Sequence, residues 1–129
     1  VIQFISTSTL GNSQNFGDTS LTRQGISGLS NATRMVMGGG QYPTLTDTID
    51  YIEIAAGGNA SDFGDLTVER YISAASSSPT RGVWAGGAPG NFNVIDYVQI
   101  PTTGNAVDFG DLLENTYCNG GTSNAHGGL

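Results

Sequence analysis

Short segments in which apolar and polar side chains alternate recur along the chain. The clearest, residues 95–100, is rich in β-branched and aromatic side chains, which predicts a β-strand. Shorter apolar segments at 81–85, 106–109 and 70–76 are predicted as strands on the same grounds. No segment shows sustained helical spacing between capping residues. The pattern therefore predicts an all-β protein built from short antiparallel strands.

The chain repeats itself at an interval of 46 or 47 residues. Residues 58–66 and 104–112 are identical at eight of nine positions, and a more divergent copy begins at Gly11. The flanking segments repeat in step: 46–54 matches 92–100, and 30–40 matches 77–87. Four predicted strands in a unit of about 46 residues match the size of one β-propeller blade.

The repeat divides the chain into blades. We place a partial blade at 1–33, a blade at 34–80, a blade at 81–125 and the start of another at 126–129. Propellers close with about 4–8 blades, and this chain has fewer than three. Open sheet edges invite pairing with other strands. We therefore expect an incomplete ring, completed either by further units of a longer chain or by other copies, with strands from both ends sharing a blade.

Several recurring residues have an expected structural role in each blade. Glycines after an apolar strand allow a close approach to the neighbouring strand or blade. These glycines are Gly39, Gly40, Gly86 and Gly87. Aromatic side chains at repeat positions are expected to pack between blades because they bury a large area. These aromatics are Tyr51, Tyr97, Phe63 and Phe109. Asp65 and Asp111 follow a glycine and are expected to satisfy turn amides.

One repeat position carries a basic side chain in a chain with only four arginines and no lysine. Arg34 and Arg81 occupy it, and His126, the only histidine, takes it in the last unit. A planar guanidinium can bridge a carboxylate and backbone carbonyls, so we expect these arginines to join neighbouring blades. The candidate carboxylate partners are Asp50, Asp65, Asp96 and Asp111. We expect His126 to have a structural hydrogen-bonding role.

The composition limits the possible partners. Hydrophobic residues make up 37% of the 129 residues and 20 are glycines, which favours turn-rich strands over helices. The net charge of −7 disfavours binding to nucleic acid or to an anionic membrane surface. A single cysteine, Cys118, excludes an internal disulfide framework. No apolar run is long enough for a membrane-spanning helix.

Candidate catalytic and metal-binding groups are few. The pairs Asp62/Asp65 and Asp108/Asp111 raise the possibility of calcium, which binds clustered carboxylates, but they lack the spacing of a known calcium loop and fit turns better. Nothing pairs a particular serine with the single histidine as a triad requires. We therefore expect no catalytic residues, no metal site and no cofactor, and a protein that is not an enzyme.

The loop after each glycine pair differs between the units. Variable loops on a repeated scaffold often carry binding sites. Tyr42 in the first full unit, with Asn91 and Phe92 in the second, are therefore the candidate ligand-binding residues. The alternative is a plain solvated loop.

The repeat resembles the kelch type of β-propeller repeat. An apolar strand ends at Gly86-Gly87, Tyr97 follows in the next strand, and Phe109 follows in the strand after that. The preceding unit has Gly39-Gly40, Tyr51 and Phe63 at these positions. Kelch repeats usually have tryptophan where the two phenylalanines stand. The resemblance covers nearly the whole chain and implies kelch-like propeller blades of four short antiparallel strands.

The repeat sequence resembles that of repeat proteins of marine tailed bacteriophages more closely than it resembles the general kelch repeat. The segments that carry this resemblance are Thr80-Arg81-Gly82-Val83 and Asp108-Phe109-Gly110-Asp111-Leu112. That resemblance implies a structural or receptor-binding protein of the tail or fibre type. It also implies a location in the virion, and in the cytoplasm of the infected host during assembly. The implied partners are other virion proteins, further copies of the chain, and a host surface glycan or protein, without nucleic acid or membrane insertion.

Two other functions fit the same sequence. One is a soluble kelch-type module for protein–protein interaction. The other is a propeller-based glycan-binding or glycoside-acting protein, which would need convergent carboxylates from several blades for catalysis.

Overall fold

Ten short strands and no helix make up the part of the chain that the structure describes. The computed structural model describes residues 1–90, 92–117 and 120–122. The strands are β1 Ile2–Phe4, β2 Gln14–Gly17, β3 Ser27–Ser30, β4 Arg34–Gly38, β5 Thr48–Glu53, β6 Ser61–Asp65, β7 Ala74–Ser77, β8 Arg81–Ala85, β9 Val94–Gln99 and β10 Val107–Asp111. The all-β prediction is confirmed over these ranges. No helix in them is long and apolar enough to cross a membrane.

The strands form three antiparallel sheets in which each strand pairs with the next along the chain. The N-terminal sheet contains β1 and β2, the first four-stranded sheet runs from β3 to β6, and the second runs from β7 to β10. The register repeats as well. Val36 pairs with Tyr51 in the first four-stranded sheet, and Val83 pairs with Tyr97 in the second. The two sheets are therefore copies of one structural unit.

The sheets are out of phase with the sequence units by one strand. β3 and β7 begin the two four-stranded sheets, yet they precede Arg34 and Arg81, where the units were placed. The boundaries at 34 and 81 thus fall inside the sheets. The reason is that hydrogen bonding pairs β3 with β4 and β7 with β8 across these boundaries.

The predicted strand at 70–76 is wrong over its first half. β7 begins only at Ala74, and residues 70–73 form a link between the two four-stranded sheets. Ile72 has a φ of 54°, which is incompatible with extended backbone. Tyr71 pairs only with Ala88, in an isolated bridge. The link resembles a strand in sequence because its side chains are buried or half-buried between sheets.

The hydrophobic core lies between the two four-stranded sheets. Its residues are Leu29, Val36, Ile49, Phe63, Leu66, Trp84, Val98, Ile100 and Ala106. Trp84 is fully buried, and its Nε1 donates a hydrogen bond of 3.0 Å to the Ser27 carbonyl across the sheets. A Cβ on Gly82 would lie 2.5 Å from Leu29 Cδ1, and one on Gly38 would lie 3.0 Å from Trp84. Large side chains of one sheet thus pack over glycines of the other, which gives a dense core.

Consecutive sheets are joined at the last strand of each sheet, which we call the outermost strand (β2, β6 and β10). The loop that precedes this strand in one sheet donates hydrogen bonds to the outermost strand of the preceding sheet. At the second joint, between the two four-stranded sheets, Gly104 N donates to Phe63 O at 2.8 Å and Ala106 N donates to Asp65 O at 2.7 Å. The Asn105 side chain accepts the N–H of Asp65 at 3.1 Å. The first joint, between the N-terminal sheet and the first four-stranded sheet, has the same bonds: Gly58 N to Phe16 O, Ala60 N to Asp18 O, and Asp18 N to Asn59 Oδ1.

These backbone bonds require glycine on the outermost strand. A Cβ on Gly64 would lie 2.5 Å from the Gly104 carbonyl carbon and oxygen, and one on Gly17 would lie 2.1 Å from Gly58 O. Gly110 stands at the same repeat position in the last sheet, and a Cβ there would meet nothing within 4 Å. Gly17 and Gly64 thus leave room for a neighbouring backbone, whereas at Gly110 the positive φ of 142° is what favours glycine.

Replacing Gly64 by alanine is expected to destabilise the protein by about 1–3 kcal/mol more than replacing Gly110, because only Gly64 faces a neighbouring backbone. The two glycines have similar positive φ angles, 146° and 142°, so backbone strain is matched. Urea unfolding of the two variants in dilute solution measures the difference, provided that the m-value is unchanged. Equal midpoints for G64A and G110A would contradict this account of the joint.

Candidate functional site

A buried arginine connects the two four-stranded sheets. Arg70 lies in the link between them, and its Nη2 is 3.0 Å from Asp96 Oδ2, with both side chains fully buried. Asp96, on β9, also accepts hydrogen bonds from Thr67 N at 3.1 Å and Thr67 Oγ1 at 2.5 Å. The Arg70 carbonyl accepts the N–H of Gly40 in the first four-stranded sheet at 2.9 Å. Arg70 therefore contacts one sheet with its main chain and the next with its side chain.

The same arrangement occurs one unit earlier. Arg23 Nη2 lies 2.8 Å from Asp50 Oδ2, again with both side chains almost fully buried. Ser20 takes the place of Thr67, donating from its N–H at 3.1 Å and its hydroxyl at 2.6 Å to Asp50. Arg23 Nη1 also donates to the Thr48 carbonyl at 3.1 Å. A hydroxyl residue and an arginine three positions later thus enclose an aspartate of the following sheet.

Burial makes both arginines depend on their aspartates. Loss of water lowers the pKa of Arg23 and of Arg70, and the charges of Asp50 and Asp96 oppose that change. Within the part of the chain that the structure describes, Nε of both arginines and Nη1 of Arg70 have no hydrogen-bond partner. A buried cation that is only partly satisfied is costly to leave without its counter-ion.

The glycine pairs make room for these arginines. A Cβ on Gly40 would lie 2.9 Å from Arg23 Cδ, and one on Gly87 would lie 3.0 Å from Arg70 Cδ. A Cβ on Gly39 would lie 2.3 Å from the Arg70 carbonyl oxygen. These are the close approaches that the sequence predicted for the glycine pair, and the group that approaches is the arginine of the link.

The aspartate partners predicted for Arg34 and Arg81 were wrong. Arg34 Nε pairs with Glu53 at 2.6 Å, and its Nη1 donates to the carbonyls of Ile100 at 3.1 Å and Pro101 at 3.0 Å in the next sheet. Its guanidinium also stacks on Tyr51, 4.7 Å from the ring centroid. Asp50 and Asp96 were unavailable because Arg23 and Arg70 hold them. Arg34 therefore bridges a carboxylate and neighbouring carbonyls, but the carboxylate belongs to a glutamate.

Arg81 has no equivalent set of partners among the described residues. Its guanidinium lies over Tyr97, 4.8 Å from the ring centroid, and 6.0 Å from that of Phe109. Phe63, buried at the second joint, is 3% exposed, whereas Phe109 is 53% exposed. The two differ because no described sheet lies over β10. His126, which the sequence placed at the position of Arg81 in the next unit, and Cys118 lie outside the described residues.

Sequence reasoning missed Arg23 and Arg70, although a signal was present. These arginines are 47 residues apart, as are Ser20 and Thr67, which matches the repeat interval. The surrounding residues differ between the two copies, so the match does not stand out. Arg34 and Arg81 lie in segments that match better between the units, so the hypothesis of an arginine–aspartate pair between blades was placed on them.

The candidate binding loop of the first full unit exposes an aromatic ring. Tyr42 is 65% exposed at the tip of the β4–β5 loop, which is tied down by a bond of 3.0 Å from Thr46 N to the Gly40 carbonyl. Beside the ring is a depression of about 380 Å³. It is lined by Leu21, Thr22, Arg23, Tyr42, Thr44, Leu45 and Thr46. The depression combines an aromatic face with several hydroxyl groups.

The second loop differs from the first. Phe92 is half-buried, and its ring packs on Gly90, where an added Cβ would lie 3.0 Å from Phe92 Cζ. Phe92 N donates to Gly87 O at 3.2 Å, which holds the backbone close to the sheet. Asn91 lies outside the described residues. Tyr42 and Phe92 therefore sit on different loops and do not form one aromatic surface with each other.

The acidic pairs lie on the outermost strands. Asp108 Oδ1 accepts the N–H of Gly110 at 3.1 Å, as a turn residue does. Partial loss of water, followed by the charges of Asp47 and Asp62, raises the pKa of Asp65 above its ordinary value. Among the described residues, no group of three or more histidine, cysteine, aspartate or glutamate side chains is placed to hold a metal ion.

Comparison with known proteins adds no family to this geometry. No protein-family model matches the chain, and no curated protein matches it. The repeated joint and the loop around Tyr42 are therefore the basis for inferring what the protein does.

Replacing Arg70 by methionine is expected to cost about 3–5 kcal/mol, because it leaves the buried Asp96 carboxylate without its counter-ion. Arg81→Met is the matched control, since Arg81 is exposed and its guanidinium stacks on aromatic rings, and we expect a cost of about 1 kcal/mol or less. Urea unfolding measures both.

A double-mutant cycle separates the ion pair from simple loss of packing. R70M combined with Asp96→Leu should cost clearly less than the sum of the two single variants, because the double variant buries no unpaired charge. Additive effects, or equal costs for R70M and R81M, would contradict the role assigned to this pair.

Proposed function

We propose that the chain is a non-enzymatic structural and receptor-binding module, built from kelch-like propeller blades, in the tail or fibre of a bacteriophage particle. The observation that carries the binding role is the exposed Tyr42 beside its depression, on a scaffold whose buried charges are engaged in joints between sheets. The proposal of a phage origin is supported by the resemblance of the repeat sequence to repeat proteins of marine tailed bacteriophages.

The stacking of the sheets supports propeller blades. The first strands of the two four-stranded sheets, β3 and β7, lie next to each other. Ser27 Oγ donates to Ser73 O at 2.6 Å, and Ser77 Oγ donates to Ser30 O at 2.7 Å, so the inner ends are held together. The outer ends are held by the Gly-Asn-Ala loops. Contacts between the sheets at both ends support the proposal that they are blades arranged around an axis.

The chemistry around Tyr42 suits a surface glycan. A tyrosine ring offers an apolar face and a hydroxyl, and threonine hydroxyls both donate and accept hydrogen bonds. Sugar rings present the complementary combination of C–H faces and hydroxyls. The loop is fixed to the scaffold through Gln41, whose N–H donates to Gln24 O at 2.9 Å, so little order has to be gained on binding.

Mass spectrometry of purified phage particles tests the virion role. We expect peptides of this chain in particles that have been washed and density-purified, in amounts comparable with those of other tail proteins. If the chain is found in infected-cell lysate but not in particles, the virion role is wrong, and the intracellular interaction module becomes the better proposal.

Tyr42→Ala is expected to weaken binding to the host surface or to a hit on a glycan array by about tenfold or more, because a central aromatic contact is lost. Tyr117→Ala is the control, since Tyr117 is also exposed, at 56%, but does not line the depression. Surface plasmon resonance with immobilised glycan measures both. Unchanged binding by Y42A would leave the loop as ordinary solvated backbone.

A further inference from the structure

Two walls form the depression beside Tyr42. One wall is residues 21–23, in the link before the first four-stranded sheet, and the other is residues 42–46, in the β4–β5 loop. Backbone hydrogen bonds run both ways between the two walls, from Gln24 N to Gln41 O at 3.1 Å and from Gln41 N to Gln24 O at 2.9 Å. The spacing of the walls is therefore fixed by the scaffold and does not depend on a ligand.

The size of the depression limits what it can hold. Its volume is about 380 Å³, whereas small-molecule sites span about 300–1,000 Å³, so it accommodates one ring of a chain-like ligand and not a long segment. Among the described residues, Tyr42 is the only aromatic side chain in the lining, and it is 65% exposed. An exposed aromatic face provides a stacking surface for a ring with an apolar side.

Three hydroxyl groups in the lining are available to a ligand. The side-chain hydroxyls of Tyr42, Thr22 and Thr44 make no hydrogen bond with another described residue. The Thr46 hydroxyl differs, because it lies 2.8 Å from the Thr48 hydroxyl. A free hydroxyl both donates and accepts, so this set matches a ligand that carries several hydroxyls of its own.

No exposed charge lines the depression in the described part of the chain. Its one charged side chain, Arg23, is 1% exposed and is paired with Asp50. Arg34 and Arg81 begin β4 and β8, whereas the loop follows the end of β4, so both lie at the opposite end of the sheets. The net charge of −7 repels anions. An acidic ligand would therefore lose water here without gaining a cation.

The second four-stranded sheet has a different side chain at this place. Phe92 corresponds to Thr46, because the N–H of each donates to the second glycine of its pair, to Gly87 O at 3.2 Å and to Gly40 O at 3.0 Å. The Phe92 ring is half-buried and packs on Gly90 of its own loop. The second loop is thus closed by a ring of the chain itself, whereas the first loop is open.

The links also differ at one position, and this difference changes the charge. Glu69 corresponds to Thr22, since each immediately precedes the buried arginine of its link. Glu69 is exposed although a complete four-stranded sheet precedes its link, so exposure at this position is a property of the unit and not of the end of the chain. A carboxylate here must give up water when a ligand covers it. The first unit therefore has the open and uncharged version of the depression.

We propose that the depression beside Tyr42 binds one uncharged sugar residue of a surface glycan, and that the second unit has no equivalent site. The sugar ring stacks on Tyr42, and its hydroxyls form hydrogen bonds with Thr22 and Thr44. Acidic sugars, such as uronic and sialic acids, are excluded because no cation is within reach. The inference rests on the proposed receptor-binding role and specifies the class of its ligand.

Glycan-array binding followed by titration calorimetry tests the ligand class on the 129-residue chain. The array carries neutral glycans that end in hexoses or N-acetylhexosamines, and matched glycans that end in uronic or sialic acid. We expect binding to the neutral glycans alone, at one site per chain. Added salt should leave the affinity unchanged, because no charge pair forms.

Two substitutions convert the first depression towards the second unit. Thr46→Phe introduces the residue that the second loop already has, so the fold should be retained, and binding should weaken about tenfold or more because the ring fills the depression. Thr22→Glu introduces the carboxylate of the second link and should have a similar effect. Thr103→Glu is the matched control, since it adds the same charge at an exposed position outside the depression and should bind as the wild type does. Circular dichroism and the urea midpoint of each variant check that it is folded.

The outcomes separate this inference from the proposed function. Binding to acidic glycans that Tyr42→Ala abolishes would overturn the inference and leave the receptor-binding role in place. Neutral-glycan binding that survives T46F or T22E, or two equal sites per chain, would also overturn it. Absence of binding to every glycan would overturn it as well, and attachment to host cells by the wild type but not by Y42A would then show that the receptor-binding role stands without it.

Discussion

The buried pair of Arg70 and Asp96 sets the relation between consecutive sheets. The arginine leaves one sheet, keeps its carbonyl bonded to Gly40 of that sheet, and places its guanidinium against Asp96 of the next. A charge removed from water needs its partner at one position, so the pair restricts how the sheets stack. Glycines at the close approaches, and the hydroxyl of Thr67 on the same carboxylate, follow from this restriction.

The joint at the outermost strands aligns the same two sheets through backbone hydrogen bonds and not through an ion pair. Here backbone amides of one unit donate to carbonyls of the preceding outermost strand, and Gly64 provides the space. Between the two lies the core around Trp84, whose packing over glycines depends on the alignment that both joints maintain. Polar contacts at two places thus determine the register, and apolar burial between them supplies most of the stabilisation.

The buried ion pairs lie inside the scaffold, and the exposed Tyr42 loop lies on its surface. The arginines of the links are buried in ion pairs. The β4–β5 and β8–β9 loops differ in sequence between the two units. The loop that carries Tyr42 projects from the position where Gly40 makes room for Arg23, so its base is fixed by the joint while its tip is exposed. The proposed binding role rests on this exposed loop.

The sequence by itself determined the strands and their repeat, whereas only the tertiary structure decided which charges pair and where each sheet begins. Alternation in 95–100 predicted β9, and the near-identity of 58–66 and 104–112 showed that β6 and β10 are copies of one another. The alternating pattern sufficed for β9 because it reflects which face of a strand is buried, whereas at 70–73 a strand-like pattern lies in a link in which Ile72 has a φ of 54°. Sequence spacing does not say which charges meet across a joint: Arg70 finds Asp96 because the link folds back over the next sheet. Likewise Phe63 is buried and its repeat counterpart on β10 is exposed, because burial depends on whether another sheet lies above.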